Sequence, residues 1–363
     1  MVDFDALEAA GIRDARQRGG LIEYLDSLGF TAEEMVQAEA RGRLFGLAGD
    51  VLQWSGRPTY SIRTAADALG VAAEEVARAW ALLGLTVGGP DELTLSQADV
   101  DGLGAWFRIK RLLGDEGAFG FLRVLGSSMA RLTEAESAIM RAAAPDIQIN
   151  HTRDELATAQ AYRAAAEFIP GIGVLIDVAH RHHMISARRH FEGVVRDSTA
   201  NVTCGVGFAD LSGFTALTQL LSPGELSMLL SEFGATVSDV VHADGGRVVK
   251  FIGDEVMWVS PAPMLLAKAA MDLVDHPKAR EAGLQVRAGV AYGEMLAING
   301  DYFGNVVNLA ARLATAATPG QILASQSVRD TLPDWAATIQ EPLTLKGFDE
   351  PVSAYELHRR GDR

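Results

Sequence analysis

Cysteine is nearly absent from this sequence: Cys204 stands alone among 363 residues. A single thiol excludes an internal disulfide framework. Cations are also scarce, since 32 Lys and Arg face 47 Asp and Glu, for a formal net charge of −15. Proteins that coat nucleic acid need clustered cations. This balance therefore argues against nucleic acid as a partner.

Long apolar runs are missing as well. The longest candidate, FIPGIGVLI from Phe168, stops at Asp177, after far fewer than the ~20 residues that a membrane-spanning helix needs. The opening residues, MVDFDALEAAG, lack the basic start and apolar core of an export signal. We therefore expect a soluble cytoplasmic protein with no stable membrane insertion.

The length and the texture of the chain indicate two domains. Residues 1–198 are rich in Ala, Leu, Glu and Arg at helical spacing. From about residue 200, strand-like runs alternate with helical ones. We predict an α-helical domain over 1–198, with a linker helix at about 180–200, and an α+β domain over 199–363. The strand-like runs are 203–211, 246–253, 255–260, 284–298 and 321–325, and the helical ones are 222–243, 262–275 and 304–317.

Residues 61–85 have the order of a helix-turn-helix, with a turn at Gly70. The segment carries two arginines against three acids. With so few cations, the second helix is poorly suited to bind in a groove of DNA. We therefore expect two helices packed against each other instead.

Charged residues interrupt the apolar strands of the second half. Asp210 ends the first strand in FADLSGFT, and Asp254 lies in the turn of VVKFIGDEVMWV. If the two strand ends are neighbours, the carboxylates converge and repel unless a cation lies between them. Mg²⁺ prefers a few carboxylates together with substrate phosphates. Taken singly, each aspartate is better explained as a turn residue.

Two further segments carry polar groups. In GDYFGNVVNLAARL, Asn308 and Arg312 are four residues apart on one predicted helix face, and Asp301 precedes them. In LTLKGFDEP, Lys346 lies where a strand gives way to a turn. A solvated helix surface and a solvated lysine are the alternative interpretations.

Together these pieces resemble the class III nucleotidyl cyclases over residues 203–358. A lysine stands four residues before the second aspartate, and Asp, Asn and Arg follow at offsets of 0, 7 and 11. The resemblance implies a ferredoxin-like, palm-type catalytic domain. It also implies two divalent cations, Mg²⁺ or Mn²⁺, held by Asp210, Asp254 and the Leu211 carbonyl.

The same resemblance assigns the substrate groups. Lys250 and Asp301 correspond to the pair that selects adenine over guanine, since guanine would reverse both hydrogen-bonding demands. Asn308 corresponds to the residue that orients the ribose, and Arg312 to the one that stabilises charge on the α-phosphate. The remaining substrate-binding positions are Lys346, Gly213, Phe214 and Thr215.

The implied activity is adenylate cyclase, which makes 3′,5′-cyclic AMP and pyrophosphate from ATP. Each site would form between two chains, one giving the metal-binding aspartates and the other giving Lys250, Asp301, Asn308 and Arg312. A monomer should then be inactive, and a two-fold dimer should hold two equivalent sites.

The first half is similar to the regulatory domain of the actinobacterial two-domain, pH-responsive adenylyl cyclases. Four of the eight histidines lie in AHRHHMISARRH, among arginines. Neighbouring cations lower the pKa of histidine, which suggests a charge change below neutrality, although a solvated basic patch is an equal alternative. The apolar stretch 167–179 suits either a pocket for a fatty acid or a dimer core. The four histidines are His180, His182, His183 and His190.

Two other functions stay open. IGDEV at 252–256 is similar to the GGDEF signature of diguanylate cyclases, but Ile252 replaces its first glycine. A non-catalytic sensor or dimerisation module is the second alternative, and it would have lost at least one metal or transition-state residue.

Overall fold

The computed structural model of the chain describes residues 2–192, 201–281 and 283–359. Contacts divide the chain into two units, the first ending at His182 and the second beginning at His183. The predicted boundary at residue 198 lies outside the described residues and stays a prediction. The predicted linker helix at about 180–200 is described only as far as residue 192.

The first unit is built from helices. They are α1 (Phe4–Ala9), α2 (Gly19–Ser27), α3 (Ala32–Ala40), α4 (Leu47–Gln53), α5 (Ile62–Leu69), α6 (Ala73–Leu82), α7 (Gln97–Ala143), α8 (Ile149–Thr152), α9 (Glu155–Ala166) and α10 (Ile169–Glu192). One buried cluster joins α1 to α4 with α9, and a second joins α5 and α6 to the first half of α7. The apolar residues at helical spacing supply both cores.

The helix pair α5 and α6 is packed as expected. Ser61 caps α5 through a capping box with Thr64, and Gly70 ends it in the left-handed region with φ of +67°. On α6, the Arg78 guanidinium lies 3.9 Å from the centroid of the Phe119 ring on α7. This cation of the second helix therefore stacks on an aromatic ring of the same unit.

Helix α10 carries the apolar stretch 167–179. Its Val174 and Leu175 side chains are exposed, as is that of the preceding Phe168. Exposure of these side chains tests neither the fatty acid nor the dimer core, and both stay predictions. Among the described residues, no helix combines the length and the apolar composition needed to cross a membrane.

The second unit is a mixed sheet with helices on both faces, which together with the helical first unit confirms the predicted fold class. Its strands are β1 (Asn201–Leu211), β2 (Arg247–Ile252), β3 (Glu255–Ser260), β4 (Val286–Ile298), β5 (Asp301–Phe303), β6 (Ile322–Ala324), β7 (Ala337–Ile339) and β8 (Tyr355–Leu357). Its helices are α11 (Phe214–Thr218), α12 (Pro223–Ala243), α13 (Pro263–Val274), α14 (Pro277–Glu281), α15 (Asn305–Ala316) and α16 (Gln326–Arg329). The strand order is β2-β3-β1-β4-β6-β8-β7, and β5 pairs with β4.

Both faces of the central strands are buried. Helices α12 and α13 pack on one face around Trp258, and α15 packs on the other. A Cβ on Gly289 of β4 would lie 2.1 Å from the Ala314 nitrogen and 2.3 Å from the Ala310 oxygen. The α15 backbone therefore rests directly on β4, which fixes the helix that carries Asn308 and Arg312.

The five predicted strands are present, but three short ones were not predicted. β5, β7 and β8 have three residues each, too few for an alternating pattern to stand out. The sequence did contain a signal for β5, because Asn-Gly at 299–300 is a strong hairpin dipeptide. In the structure both residues have positive φ, as such a turn requires. The β4–β5 hairpin that follows from it sets the position of Asp301.

Candidate active site

The two predicted metal-binding aspartates converge at neighbouring strand ends. Asp210 is the penultimate residue of β1, and Asp254 lies in the two-residue turn that joins β2 to β3. The backbone N–H of Leu211 lies close enough to the Asp254 carboxylate to lower its pKa. Burial raises the pKa of Asp254 above its ordinary value, and the nearby charge of Asp210 adds to that effect.

Arg287 is a residue of this site that the sequence analysis missed. It faces Asp210 across the β1–β4 ladder. Its Nε and Nη2 donate to the two oxygens of Asp210 at 2.7 and 2.8 Å, a bidentate pair of the strong kind. Its Nη1 donates to the carbonyls of Thr315 and Ala317 at 3.0 and 3.3 Å. Arg287 thus ties Asp210 to the C-terminal end of α15.

Glu255 adds a third acid beside the pair. Burial raises the pKa of its carboxyl group, and the charges of Asp210 and Asp254 raise it further. Even so, the part of the chain that the structure describes holds no cluster of three or more His, Cys, Asp or Glu arranged to bind a metal. Two carboxylates and the Leu211 carbonyl are hard oxygen donors that leave positions for water and phosphate, so they fit Mg²⁺ or Mn²⁺.

The predicted purine pair is formed within one chain. The Lys250 ammonium group on β2 donates to Asp301 Oδ2 on β5, and both side chains are about one-third exposed or less, at 34% and 27%. The other oxygen of Asp301 accepts from the Tyr302 backbone N–H at 2.9 Å. One donor and one acceptor are thus held side by side at a partly open position.

The predicted α15 residues lie on an exposed helix face. Asn308 and Arg312 are both exposed. Arg312 Nε donates to the Lys346 carbonyl at 3.2 Å, so the structure brings these two predicted residues together. Lys346 itself lies in a turn between the bridged residues Leu343 and Val352, with its side chain exposed.

The turn after β1 holds the other predicted substrate positions. Gly213 has φ of +81°, a conformation that favours glycine. Phe214 begins α11 and packs against the main core of the second unit. The side chain of Thr215 lies outside the described residues.

The histidine cluster lies on α10. His180, His182 and His183 are exposed there, and the side chain of His190 lies outside the described residues. Arg181 Nε donates to Asp177 at 2.8 Å. One of the cations expected to act on the histidines is therefore paired with an acid, and the role of the cluster stays a prediction.

The site residues form two groups. Asp210, Asp254 and Glu255 interact with one another and with Arg287. Lys250 on β2 pairs instead with Asp301 on β5. Asp254 lies in the turn that follows β2, which ends at Ile252.

Both halves of the chain match known families. Residues 195–359 match the model of the adenylate and guanylate cyclase catalytic domain, and residues 4–187 match that of the adenylate cyclase regulatory domain. An uncharacterized protein of Mycobacterium tuberculosis H37Rv, Rv2212, is 70% identical over 98% of this chain and 94% of its own length.

Two further relatives have named activities. An adenylate cyclase of Streptomyces coelicolor is 31% identical over 75% of this chain and 71% of its own length. The pH-sensitive adenylate cyclase MT1302 of Mycobacterium tuberculosis CDC 1551 is 29% identical over 99% of this chain and 92% of its own length.

Proposed function

Since the chain belongs to the adenylate and guanylate cyclase family and is an adenylate cyclase, we propose that it converts ATP into 3′,5′-cyclic AMP and pyrophosphate at sites completed by two copies of the chain. The observation that carries this proposal is that the chain presents an acid pair, Asp210 and Asp254, and a donor–acceptor pair, Lys250 and Asp301. A nucleotide must reach a metal-binding acid pair and a purine-binding pair at once, and two copies related by a two-fold axis would supply both.

The surface around the purine pair supports a partner chain. Phe251 and Ile252 next to Lys250 are 37% and 51% exposed, and Phe303 next to Asp301 is 51% exposed. Ile252 shares the face of Lys250 on β2, and exposed apolar side chains beside a polar site are of the kind that interaction surfaces carry. A second copy that covers them would also bury the partly exposed side chains of Lys250 and Asp301.

The acid group is the proposed metal site. Asp210, Asp254 and the Leu211 carbonyl would hold two divalent cations. When bound, these would lower the pKa of the ribose 3′-hydroxyl and neutralise charge on the departing pyrophosphate. Arg287 compensates the charge of Asp210 within the chain, and Asp254 keeps the Leu211 backbone close to the acids.

The other side chains bind and orient the nucleotide. Lys250 would donate to adenine N1, and Asp301 would accept from the 6-amino group. Asn308 would orient the ribose, and Arg312 would stabilise charge that develops on the α-phosphate. The hydrogen bond between Lys250 and Asp301, which holds one donor beside one acceptor, supports ATP as the substrate over the GTP of the diguanylate-cyclase-like alternative.

Complementation tests the shared site. Asp210→Asn chains lack the metal group and Arg312→Ala chains lack the phosphate group, so each alone should make almost no cyclic AMP. After mixing, half of the dimers contain one intact site, and activity should return to about a quarter of the wild-type value. Chain exchange is confirmed by co-purification of differently tagged chains. Continued inactivity of exchanged dimers would show that each site lies within one chain.

Regulation through the first unit is the second part of the proposal. A relative over nearly the whole chain is named a pH-sensitive adenylate cyclase, and α10 presents exposed histidines. We propose that protonation of His180, His182, His183 and His190 changes the activity of the dimer. The pH profile of cyclic AMP synthesis by the wild-type chain should differ from that of a variant with all four histidines changed to Gln, and superimposable profiles would reject this role.

A further inference from the structure

Two strands of the second unit are joined by side chains alone. β2 lies at the end of the sheet order and β5 pairs only with β4, so no backbone ladder links them. Two polar contacts cross between them. One is the Lys250–Asp301 pair, and the other joins Arg247 Nη2 to the Tyr302 hydroxyl at 2.7 Å.

A bulge in β2 brings both contacts to one face. The β2–β3 register shifts between Val248 and Lys250. In a regular strand, residues three apart would point to opposite faces. The bulge places Arg247 and Lys250 on the same face, so that each reaches one of two consecutive residues of β5.

Tyr302 is the buried anchor of β5. It is 3% exposed and belongs to the core cluster that contains Cys204 and Met295. Burial raises the pKa of its hydroxyl group, which therefore stays neutral at pH 7 and accepts from Arg247. The Arg247 guanidinium carbon lies 6.0 Å from the Tyr302 ring centroid.

Arg247 has no acidic partner among the described residues. Its one hydrogen bond there goes to Tyr302, and its Nε is buried without a partner. An arginine that served only the stability of the fold would gain more from a carboxylate. Arg247 is instead placed to fix the position of Tyr302, whose backbone N–H donates to Asp301 Oδ1 at 2.9 Å.

We propose that Arg247 is a positioning residue for nucleotide selectivity: through Tyr302 it holds Asp301 beside Lys250 at the spacing that accepts adenine and rejects guanine. The proposal rests on the proposed function of the Lys250–Asp301 pair. β5 has a ladder of only three residue pairs with β4, so the hydroxyl contact adds a tie to β2 that the ladder does not provide.

The expected effect follows from the loss of this anchor. A site built to hydrogen-bond its substrate discriminates through groups that the wrong substrate leaves unpaired, and a misplacement of about 1 Å can cost about a hundredfold. We expect the ATP-to-GTP ratio of kcat/KM to fall by about tenfold or more when the contact is lost. Most of the change should appear as a higher KM for ATP, because the base is bound equally in the ground and transition states.

The experiment compares Arg247→Met, Tyr302→Phe and the double variant in the full-length chain, with ATP and GTP as substrates. Tyr302→Phe removes a single oxygen and keeps the core filled, so it reports on the contact even where Arg247→Met unfolds. The double variant should lose no more selectivity than either single one, because both remove the same contact. Arg247→Lys keeps a donor and should restore part of the ratio.

Arg329→Met is the matched control. Arg329 is a partly exposed arginine of the same unit that pairs with the exposed Asp334. Its loss should leave the ratio unchanged. The inference is overturned if Arg247→Met and Tyr302→Phe melt at lower temperature but keep the wild-type ratio, which is the outcome of a purely structural role. Failure of the wild-type chain to cyclise ATP would instead reject the proposed function.

Discussion

Arg287 is the most informative residue to remove, because it is the cation that the chain itself supplies to Asp210. Arg287→Met keeps the aliphatic length of the side chain. It deletes the bidentate contact at 2.7 and 2.8 Å and the two hydrogen bonds to the end of α15. Asp210 would then face Asp254 without compensation.

The structure bounds the loss of stability. The two side chains are 29% and 18% exposed, so the pair lies between a surface pair worth about 0–1 kcal/mol and a buried one that costs about 3–5 kcal/mol to break. We take about 2 kcal/mol for the pair and about 1 kcal/mol for the partly exposed carbonyl contacts. A total of about 3 kcal/mol corresponds to a fall in Tm of roughly 6–12 °C for a unit of this size.

The second consequence concerns divalent ions. With Arg287 gone, the two carboxylates repel each other, and a bound cation relieves that repulsion at pH values where both are ionised. A ligand that binds the folded state raises Tm according to its affinity. MgCl₂ should therefore raise the Tm of Arg287→Met by more than it raises that of the wild type.

Thermal unfolding of the full-length chain, followed by circular dichroism in EDTA and in MgCl₂, measures both effects. Arg329→Met is the control, because its pair with Asp334 is 23% and 98% exposed and should contribute less than about 1 kcal/mol. If Arg287→Met unfolds at the wild-type temperature in EDTA and shows the same response to MgCl₂, the role assigned to Arg287 is wrong.

Three further predictions follow from the second unit. The raised pKa of Asp254 means that its ionised form destabilises the folded state above that pKa. Asp254→Asn should therefore raise Tm at pH 7 in EDTA, and this gain in Tm should shrink as pH falls through the pKa of Asp254. Cyclic AMP synthesis should drop about a hundredfold or more. A lower Tm would contradict this prediction. Gly289→Ala would set a Cβ 2.1 Å from the Ala314 backbone and should cost at least about 3 kcal/mol in denaturant unfolding, whereas Gly224→Ala, with open space, should cost little. Burial raises the pKa of Cys204 to about 11, so iodoacetamide at pH 8 should label it only in urea, and rapid labelling of the folded chain would refute its burial.

Spacing made part of this site predictable. Asp210 and Asp254 each follow an apolar run of strand-like residues, and Asn308 and Arg312 are spaced to share a helical face. Their positions could therefore be predicted from the sequence pattern. Lys250 and Asp301 were assigned through the family resemblance, and the structure brings their side chains into contact.

Arg287 and Arg247 could not be found in that way. An arginine in an apolar strand can pair with many different residues. Which residue it meets depends on the register between its strand and the neighbouring one. Arg287 meets Asp210 only because of the β1–β4 register. Arg247 meets Tyr302 only because a bulge turns it to the face of Lys250.

The amino-acid sequence by itself determined the two-part organisation, the main strands and helices, and the chemical groups available for metal and nucleotide. These depend on local periodicity and composition, which are properties of short segments. Tertiary structure alone decided which charges lie together, because register, bulges and hairpin turns join residues that are tens of positions apart. The contacts of Arg287 with Asp210 and of Arg247 with Tyr302 are both of that kind.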